Sequence, residues 1–91
     1  MHTTYTAILL TIDKDTGLTV DINEEKVTIS KLDEDNGYHR INFVNSLAKH
    51  LPNKVTHNNF SKDLSGWTYN DPNLPIQWKI ITIFENEFPT Q

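Results

Sequence analysis

The chain has 91 residues, of which 36% are hydrophobic, and this is enough for one small domain with a thin core. Its formal net charge is −4 and its basic residues never cluster, which argues against binding to nucleic acid or to an anionic membrane. It contains no cysteine, so disulfides, thiolate metal sites and a cysteine nucleophile are excluded.

The N-terminus does not show the basic segment and apolar run of a secretory signal peptide. The longest purely apolar run covers residues 7–10, far less than a membrane span needs. These two observations predict a cytoplasmic protein.

The first third of the chain has the composition of β-strands. Residues 4–12 are rich in Thr, Ile and Leu, and apolar residues on both faces predict a well-covered strand. Residues 13–17 have turn composition that ends in Gly17, and residues 18–22 alternate between apolar and polar. We therefore predict a β-hairpin.

A third strand is predicted directly after this hairpin. The polar residues 23–26 read as a connection, and residues 27–32 again alternate. Short polar links join neighbouring antiparallel strands, so the simplest arrangement of the three strands is an antiparallel meander.

The strongest helical pattern begins after an acidic segment, residues 33–37. Five apolar residues recur at steps of three and four, namely Ile41, Val44, Leu47, Ala48 and Leu51, and Pro52 follows them. Two starts are open, because Asn36-Gly37 is a strong hairpin signal. Either residues 38–41 form a strand and Asn42 caps the helix, or Asp35 or Asn36 caps a helix that starts at Tyr38. We favour a helix that starts between Tyr38 and Ile41 and ends at Leu51.

The segment between this helix and the last strand is mostly irregular. Its pattern predicts a short strand at residues 54–57, one helical turn at residues 62–64 closed by Gly66, and a short strand at residues 67–69. Residues 70–75 have turn composition throughout.

Residues 76–85 form the last predicted strand, and residues 86–91 are expected to fray. Alternation puts one set of side chains on the face that suits the helix, namely Trp78, Ile80, Thr82 and Phe84. The whole chain, residues 1–91, is predicted to be one α+β domain, with a small antiparallel β-sheet of four to five strands and one helix packed on one face.

No catalytic or cofactor motif is present, and we predict neither enzymatic activity nor a bound cofactor. The turns at residues 13–17 and 33–37 resemble the start of a calcium loop but lack its later ligands. No serine lies in a nucleophile elbow, and three glycines do not make a phosphate loop. His50 and His57 bracket the turn at Pro52, but a metal site there would need further ligands, so we predict no metal.

Two segments are candidates for binding a partner. The aromatic loop offers Trp67, Tyr69, Asn70 and Asp71, since Trp and Tyr dominate protein interfaces. Because a thin core needs its aromatic residues, we expect Phe60 and Trp67 to fix the loop to the sheet and Tyr69 to be exposed.

The acidic turn, Asp33, Glu34 and Asp35, is the second candidate. We predict a small non-catalytic module that binds another protein with a basic surface, as an inhibitor of a nucleic-acid-handling host protein of the phage anti-defence or immunity type. The expected assembly is a monomer or a homodimer. The alternatives are a metal-dependent enzyme or regulator that uses His50 and His57, and a homo-oligomeric structural subunit assembled through a sheet edge.

Overall fold

The computed structural model describes residues 2–84, and they form one antiparallel sheet with two helices. The five strands are β1 (His2–Asp13), β2 (Thr19–Ser30), β3 (Ser61–Asp63), β4 (Gly66–Asn70) and β5 (Ile76–Phe84). The helices are α1 (Lys31–Asp35) and α2 (His39–Leu47). The strand order is β2-β1-β5-β4-β3, so β1 and β5 are central. The predicted α+β class, with one main helix on a small sheet, is confirmed.

The first two strands form one long hairpin. The turn after Asp13 is as predicted, and Gly17 adopts a φ of +75° there. The predicted meander is wrong, because β2 continues without a break through residues 23–26. These polar residues pair with residues 6–9 of β1. An edge strand tolerates such polar residues because solvent reaches it, and none of them is a Gly or Pro that would interrupt the ladder.

The end of β2 leads directly into α1, so the predicted strand at residues 27–32 ends at Ser30. The Ser30 hydroxyl accepts a hydrogen bond from the Asp33 backbone N–H at 3.1 Å, which caps the helix. Gly37 follows α1 with a φ of +77°. Asn36-Gly37 therefore ends a helix and does not turn a hairpin.

Helix α2 starts at His39, which settles the alternative at residues 38–41 in favour of helix. Tyr38 is its N-cap residue and makes no side-chain capping bond, so the capping roles expected of Asp35 or Asn36 are wrong. Beyond Leu47 the chain tightens into a 3₁₀ turn, Ala48–His50.

The connection after α2 differs from the prediction. Residues 54–57 do not form a strand, and a second 3₁₀ turn, His57–Asn59, follows. The Thr56 backbone N–H donates to the Asn59 side-chain oxygen at 2.8 Å, which caps this turn.

The predicted helical turn at residues 62–64 is also wrong, because β3 and β4 form a tight hairpin there. The Asp63 carboxylate accepts hydrogen bonds from the backbone N–H groups of Ser65 and Gly66, at 2.9 and 3.0 Å, and from the Thr68 hydroxyl at 2.6 Å. These bonds hold the pKa of Asp63 well below its usual range. An Asp that bonds its own turn in this way favours a hairpin over a helix.

The last strand matches the prediction from Ile76 to Phe84, whereas residue 85 and the predicted fraying of residues 86–91 lie outside the described residues. Trp78 and Ile80 are buried under the helix, as the alternation predicted. The short strand predicted at residues 67–69 is confirmed as part of β4.

The core lies between α2 and one face of the sheet. Its buried hydrophobic residues are Ala7, Leu9, Val27, Ile29, Phe43, Val44, Leu47, Leu51, Phe60, Trp78 and Ile80. In α2 the predicted stripe is partly correct, because Ile41 is half-buried, Ala48 is exposed, and Phe43 takes the central position. On the opposite face of the sheet, Ile8, Leu10 and Ile81 are only half-buried.

Candidate functional site

A cleft of about 390 Å³ opens beside α1, at the end of the sheet where β1 begins and β2 ends. We call it the acidic cleft, and it is lined by Thr3, Lys31, Glu34, Asp35 and His39. Alternation along β1 puts Thr3 and Tyr5 on the face that carries the helices. Helix α1 follows directly after β2 and places Glu34 over these two residues.

Glu34 is the centre of the hydrogen bonding in the cleft. The Thr3 hydroxyl donates to Glu34 Oε1 at 2.8 Å, and the Tyr5 hydroxyl donates to Oε2 at 2.9 Å. His39 Nε2 lies 3.8 Å from Oε2. The bonds from Thr3 and Tyr5 stabilise the carboxylate and lower the pKa of Glu34, with a smaller contribution from His39. Burial and the neighbouring Glu34 raise the pKa of Tyr5.

This arrangement favours binding over proton transfer. A general base works best when its pKa lies near the working pH, whereas the pKa of Glu34 is lowered below its ordinary value. A carboxylate held ionised by two hydroxyl groups is a fixed hydrogen-bond acceptor. It suits a cationic group such as the side chain of Arg or Lys.

Two exposed aromatic residues, which we call the aromatic rim, adjoin residues of the acidic cleft, Tyr38 as the chain neighbour of His39 and Phe84 through its contact with Tyr5. Tyr38, which precedes α2, is 48% exposed, and Phe84 at the end of β5 is 47% exposed. The Phe84 ring lies 5.7 Å from the Tyr5 ring, centroid to centroid. Tyr5 in turn packs edge-on against Phe43 at 5.3 Å, which connects the cleft with the core. Aromatic residues are enriched in protein-binding surfaces, so the exposed rim supports binding of a partner.

The other two residues of the acidic turn have separate contacts. The Asp33 carboxylate accepts a long hydrogen bond, 3.4 Å, from the Asn42 side chain. Asp35 forms an exposed ion pair with Lys31 at 3.2 Å. An ion pair this exposed contributes little to stability, so a partner can exchange it at little cost.

The aromatic loop is mostly part of the fold. Trp67 is half-buried and its ring lies 5.4 Å from that of Phe43, while Phe60 is fully buried, as expected. The expectation of an exposed Tyr69 is wrong. Tyr69 is half-buried and stacks on Trp78 at 5.6 Å, because its position in β4 directs it to the helix face of the sheet.

Asn70 and Asp71 lie at the other end of the sheet from the acidic cleft. Asn70 is exposed, and the backbone oxygen of Asp71 accepts a hydrogen bond from Lys14 at 2.6 Å. Lys14 follows the last residue of β1, whereas Thr3 is near its beginning. Since a strand rises about 3.3 Å per residue, the two candidate segments are roughly 30 Å apart. They are therefore two separate surfaces, and the acidic turn contributes to the cleft described above.

Sequence reasoning did not find Thr3, Lys31 and His39, which also line the cleft, or Tyr5, which donates a hydrogen bond to Glu34. The alternation of β1 places Thr3 and Tyr5 on one face, but nothing in the sequence brings α1 over them. The contacts depend on the path of the chain after Ser30.

His50, one of the two histidines of the alternative metal hypothesis, is bonded to a carboxylate of the sheet. His50 Nε2 lies 2.9 Å from Glu25 Oε2, which joins the 3₁₀ turn to β2, and Lys49 contacts the same carboxylate at 3.1 Å. His57 belongs to the second 3₁₀ turn. Residues 2–84 hold no group of three or more His, Cys, Asp or Glu side chains that could bind a metal.

Comparisons with protein-family models, curated proteins and solved structures find no match to this chain. The part of the chain that the structure describes has no helix that is long and apolar enough to cross a membrane.

Proposed function

We propose that the protein is a small non-catalytic module that binds another protein through the acidic cleft and its aromatic rim. The observation that supports this most is the Glu34 carboxylate, which Thr3 and Tyr5 hold ionised at an open cleft. The exposed residues Tyr38 and Phe84 of the aromatic rim adjoin residues of this cleft. Aromatic contacts would supply buried area, and the carboxylate would receive a charged side chain of the partner.

The charge of the chain supports a partner with a basic surface. The net charge is −4, and the cleft combines Glu34 and Asp35 with Asp33 nearby. Opposite charge on the partner would speed association and select among partners. Proteins that handle nucleic acids carry basic surfaces of this kind. Inhibition of such a protein, of the phage anti-defence or immunity type, stays a prediction within this proposal.

The test combines site-specific photo-crosslinking with charge variants. A photoreactive phenylalanine analogue replaces Tyr38 in one version and Leu64, which is fully exposed in the β3–β4 turn, in the control. Both are exposed to lysate of the native host, and the crosslinked proteins are identified by mass spectrometry. We expect a protein with a basic surface to crosslink from position 38 and not from position 64.

The charge variants then test the cleft itself. Glu34→Gln combined with Asp35→Asn should abolish crosslinking from position 38. The matched control, Asp15→Asn with Asp21→Asn, removes the same charge from exposed positions elsewhere and should leave it intact. Circular dichroism verifies that both variants are folded. Absence of a crosslinked partner, equal crosslinking from both positions, or an acidic partner surface would refute the proposal.

A further inference from the structure

Within residues 2–84, strand β2 has an open edge along its whole length. Among the described residues it pairs with β1 on one side only, because it is the first strand in the sheet order. It has 12 residues, and two of its apolar side chains, Val20 and Ile22, are 59% and 57% exposed. A long edge with exposed apolar residues offers a row of backbone donors and acceptors to another strand.

The charges of β2 are complementary to themselves. When two copies of β2 are aligned antiparallel about Glu25, Glu24 of each copy lies opposite Lys26 of the other. Both residues are exposed and lie on the sheet face away from α2, since the odd-numbered Val27 and Ile29 are buried under the helices. The alignment therefore creates two cross-strand pairs of opposite charge. Such pairs stabilise a sheet.

Positions 22, 25 and 28 also tolerate this alignment. Ile22 lies opposite Thr28, a favourable neighbour for a β-branched side chain. Glu25 meets Glu25 of the second copy on the helix face, but Lys49 contacts each of these carboxylates at 3.1 Å. Two lysines thus accompany the two carboxylates, which offsets their repulsion.

Neighbouring alignments bring like charges together. Residues that lie opposite each other in an antiparallel pair have their side chains on the same face of the sheet. The centre of a symmetric pair therefore always falls on a residue and never between two residues. Centring on residue 24 puts Glu24 opposite Glu24, and centring on residue 26 puts Lys26 opposite Lys26. Centring on residue 23 puts Asp21 opposite Glu25. Among these alignments only the one about Glu25 pairs opposite charges.

We propose that the protein forms a symmetric homodimer in which the β2 edges of two copies pair antiparallel about Glu25. The two sheets then form one continuous sheet of ten strands, counting the five that residues 2–84 form in each copy. Pairing covers the long edge of β2 and gives its exposed backbone groups partners. The dimer goes beyond the proposed function, because it involves no other protein and does not include the acidic cleft.

Charge exchange between Glu24 and Lys26 tests this register with purified protein. Glu24→Lys and Lys26→Glu each replace two attractive pairs by two repulsive pairs. Each should raise the dimer dissociation constant about tenfold, because both cross-strand pairs change from attraction to repulsion. Analytical ultracentrifugation over a range of concentrations measures the constant.

Two controls separate the interface from folding defects. The double variant, Glu24→Lys with Lys26→Glu, restores opposite charges and should dimerise like the original chain. A mixture of the two single variants should form a heterodimer, because one copy then carries lysine at both positions and the other glutamate. Circular dichroism verifies that each variant is folded.

The outcomes decide the proposal without reference to any partner protein. A concentration-independent monomer, or a dimer that is equally strong in both single variants, would overturn it. A monomer whose β2 edge captures a different protein would show that the occupant is not a second copy, and would also overturn it. The proposed function could still hold in each case, because its test depends on positions 34, 35 and 38.

Discussion

At the scale of single residues, Glu34 links the fold to the acidic cleft. Its carboxylate accepts hydrogen bonds from Thr3 and Tyr5, and these bonds attach α1 to β1. These bonds exist only in the folded protein and lower the pKa of Glu34 there. A carboxyl whose folded pKa is lowered stabilises the fold above its unfolded pKa, and this contribution disappears as the pH falls through the folded pKa.

We predict that Glu34→Gln makes the protein less sensitive to acid. The unfolded pKa is about 4.5, so the difference in stability between the original chain and the variant should be largest near pH 7 and should shrink below about pH 4.5. Thr3→Val, which removes one of the two bonds to Glu34, should change the profile in the same direction. Urea denaturation at a series of pH values measures both. A constant difference from pH 7 to pH 3 would contradict the prediction.

At Gly66 the fold leaves no room for a side chain. Its φ is +153°, and a Cβ built there would lie 2.1 Å from the backbone oxygen of Ile80. We predict that Gly66→Ala destabilises the protein by about 2–4 kcal/mol, because β4 would have to move away from β5. The control is Gly17→Ala, where nothing lies within 4 Å and only the positive φ costs about 1 kcal/mol. Equal losses in urea denaturation would contradict this reasoning.

At the scale of elements, α2 is the second layer of the core. Its side chains Phe43, Val44 and Leu47 are buried on the sheet, and Phe43 contacts the rings of both Tyr5 and Trp67. These rings belong to β1 and β4, so one helical side chain connects strands that are not neighbours in the sheet. The helix therefore holds the two halves of the sheet together.

We predict that Phe43→Ala destabilises the protein by about 3–5 kcal/mol, which is typical of a deleted core aromatic ring. The total stability of a chain this size is roughly 5–14 kcal/mol, so the variant should be partly unfolded on warming. Asn45→Ala, on the exposed face of the same helix, should change the stability by less than about 0.5 kcal/mol. Thermal unfolding monitored by circular dichroism compares the two, and similar midpoints would contradict the central position of Phe43.

At the scale of the whole molecule, the sheet is covered on one face. The protein extends 47 × 26 × 24 Å, because the β1–β2 hairpin is long and the helical layer is short. Central strands β1 and β5 have neighbours on both sides, whereas β3 at the edge has only three residues. Stability is therefore expected to be uneven across the molecule.

Hydrogen exchange should reveal this unevenness. We predict the slowest exchange for the backbone amides of Ala7, Leu9 and Ile80, which are fully buried in β1 and β5 and open only on global unfolding. The amides of β3 and of residues 52–59 should exchange faster, through local opening. Mass spectrometry of peptides after timed exchange measures the order. Uniform protection across these segments would contradict the prediction.

Local sequence patterns were sufficient to predict the class of the fold, the position of the main helix and the inward face of β5. Those features follow from local periodicity, which the positions of Val44, Leu47, Trp78 and Ile80 display directly. Local turn signals were less reliable. Asn36-Gly37 is compatible with a hairpin and with a helix end, and only the Ser30 cap and the start of α2 at His39 decide between them.

The sequence predicted the acidic turn as a candidate, but the cleft that this turn helps to line depends on the tertiary structure. Residues 23–26 have turn composition but continue β2, because an equally long β1 offers them backbone partners. Tyr69 stands beside the polar residues Asn70 and Asp71, which favoured an exposed position. It faces Trp78 instead, because the register of β4 on β5 directs its side chain to the helix face. Glu34 meets Thr3 and Tyr5 across about 30 positions of sequence, and no local pattern encodes a contact over that separation.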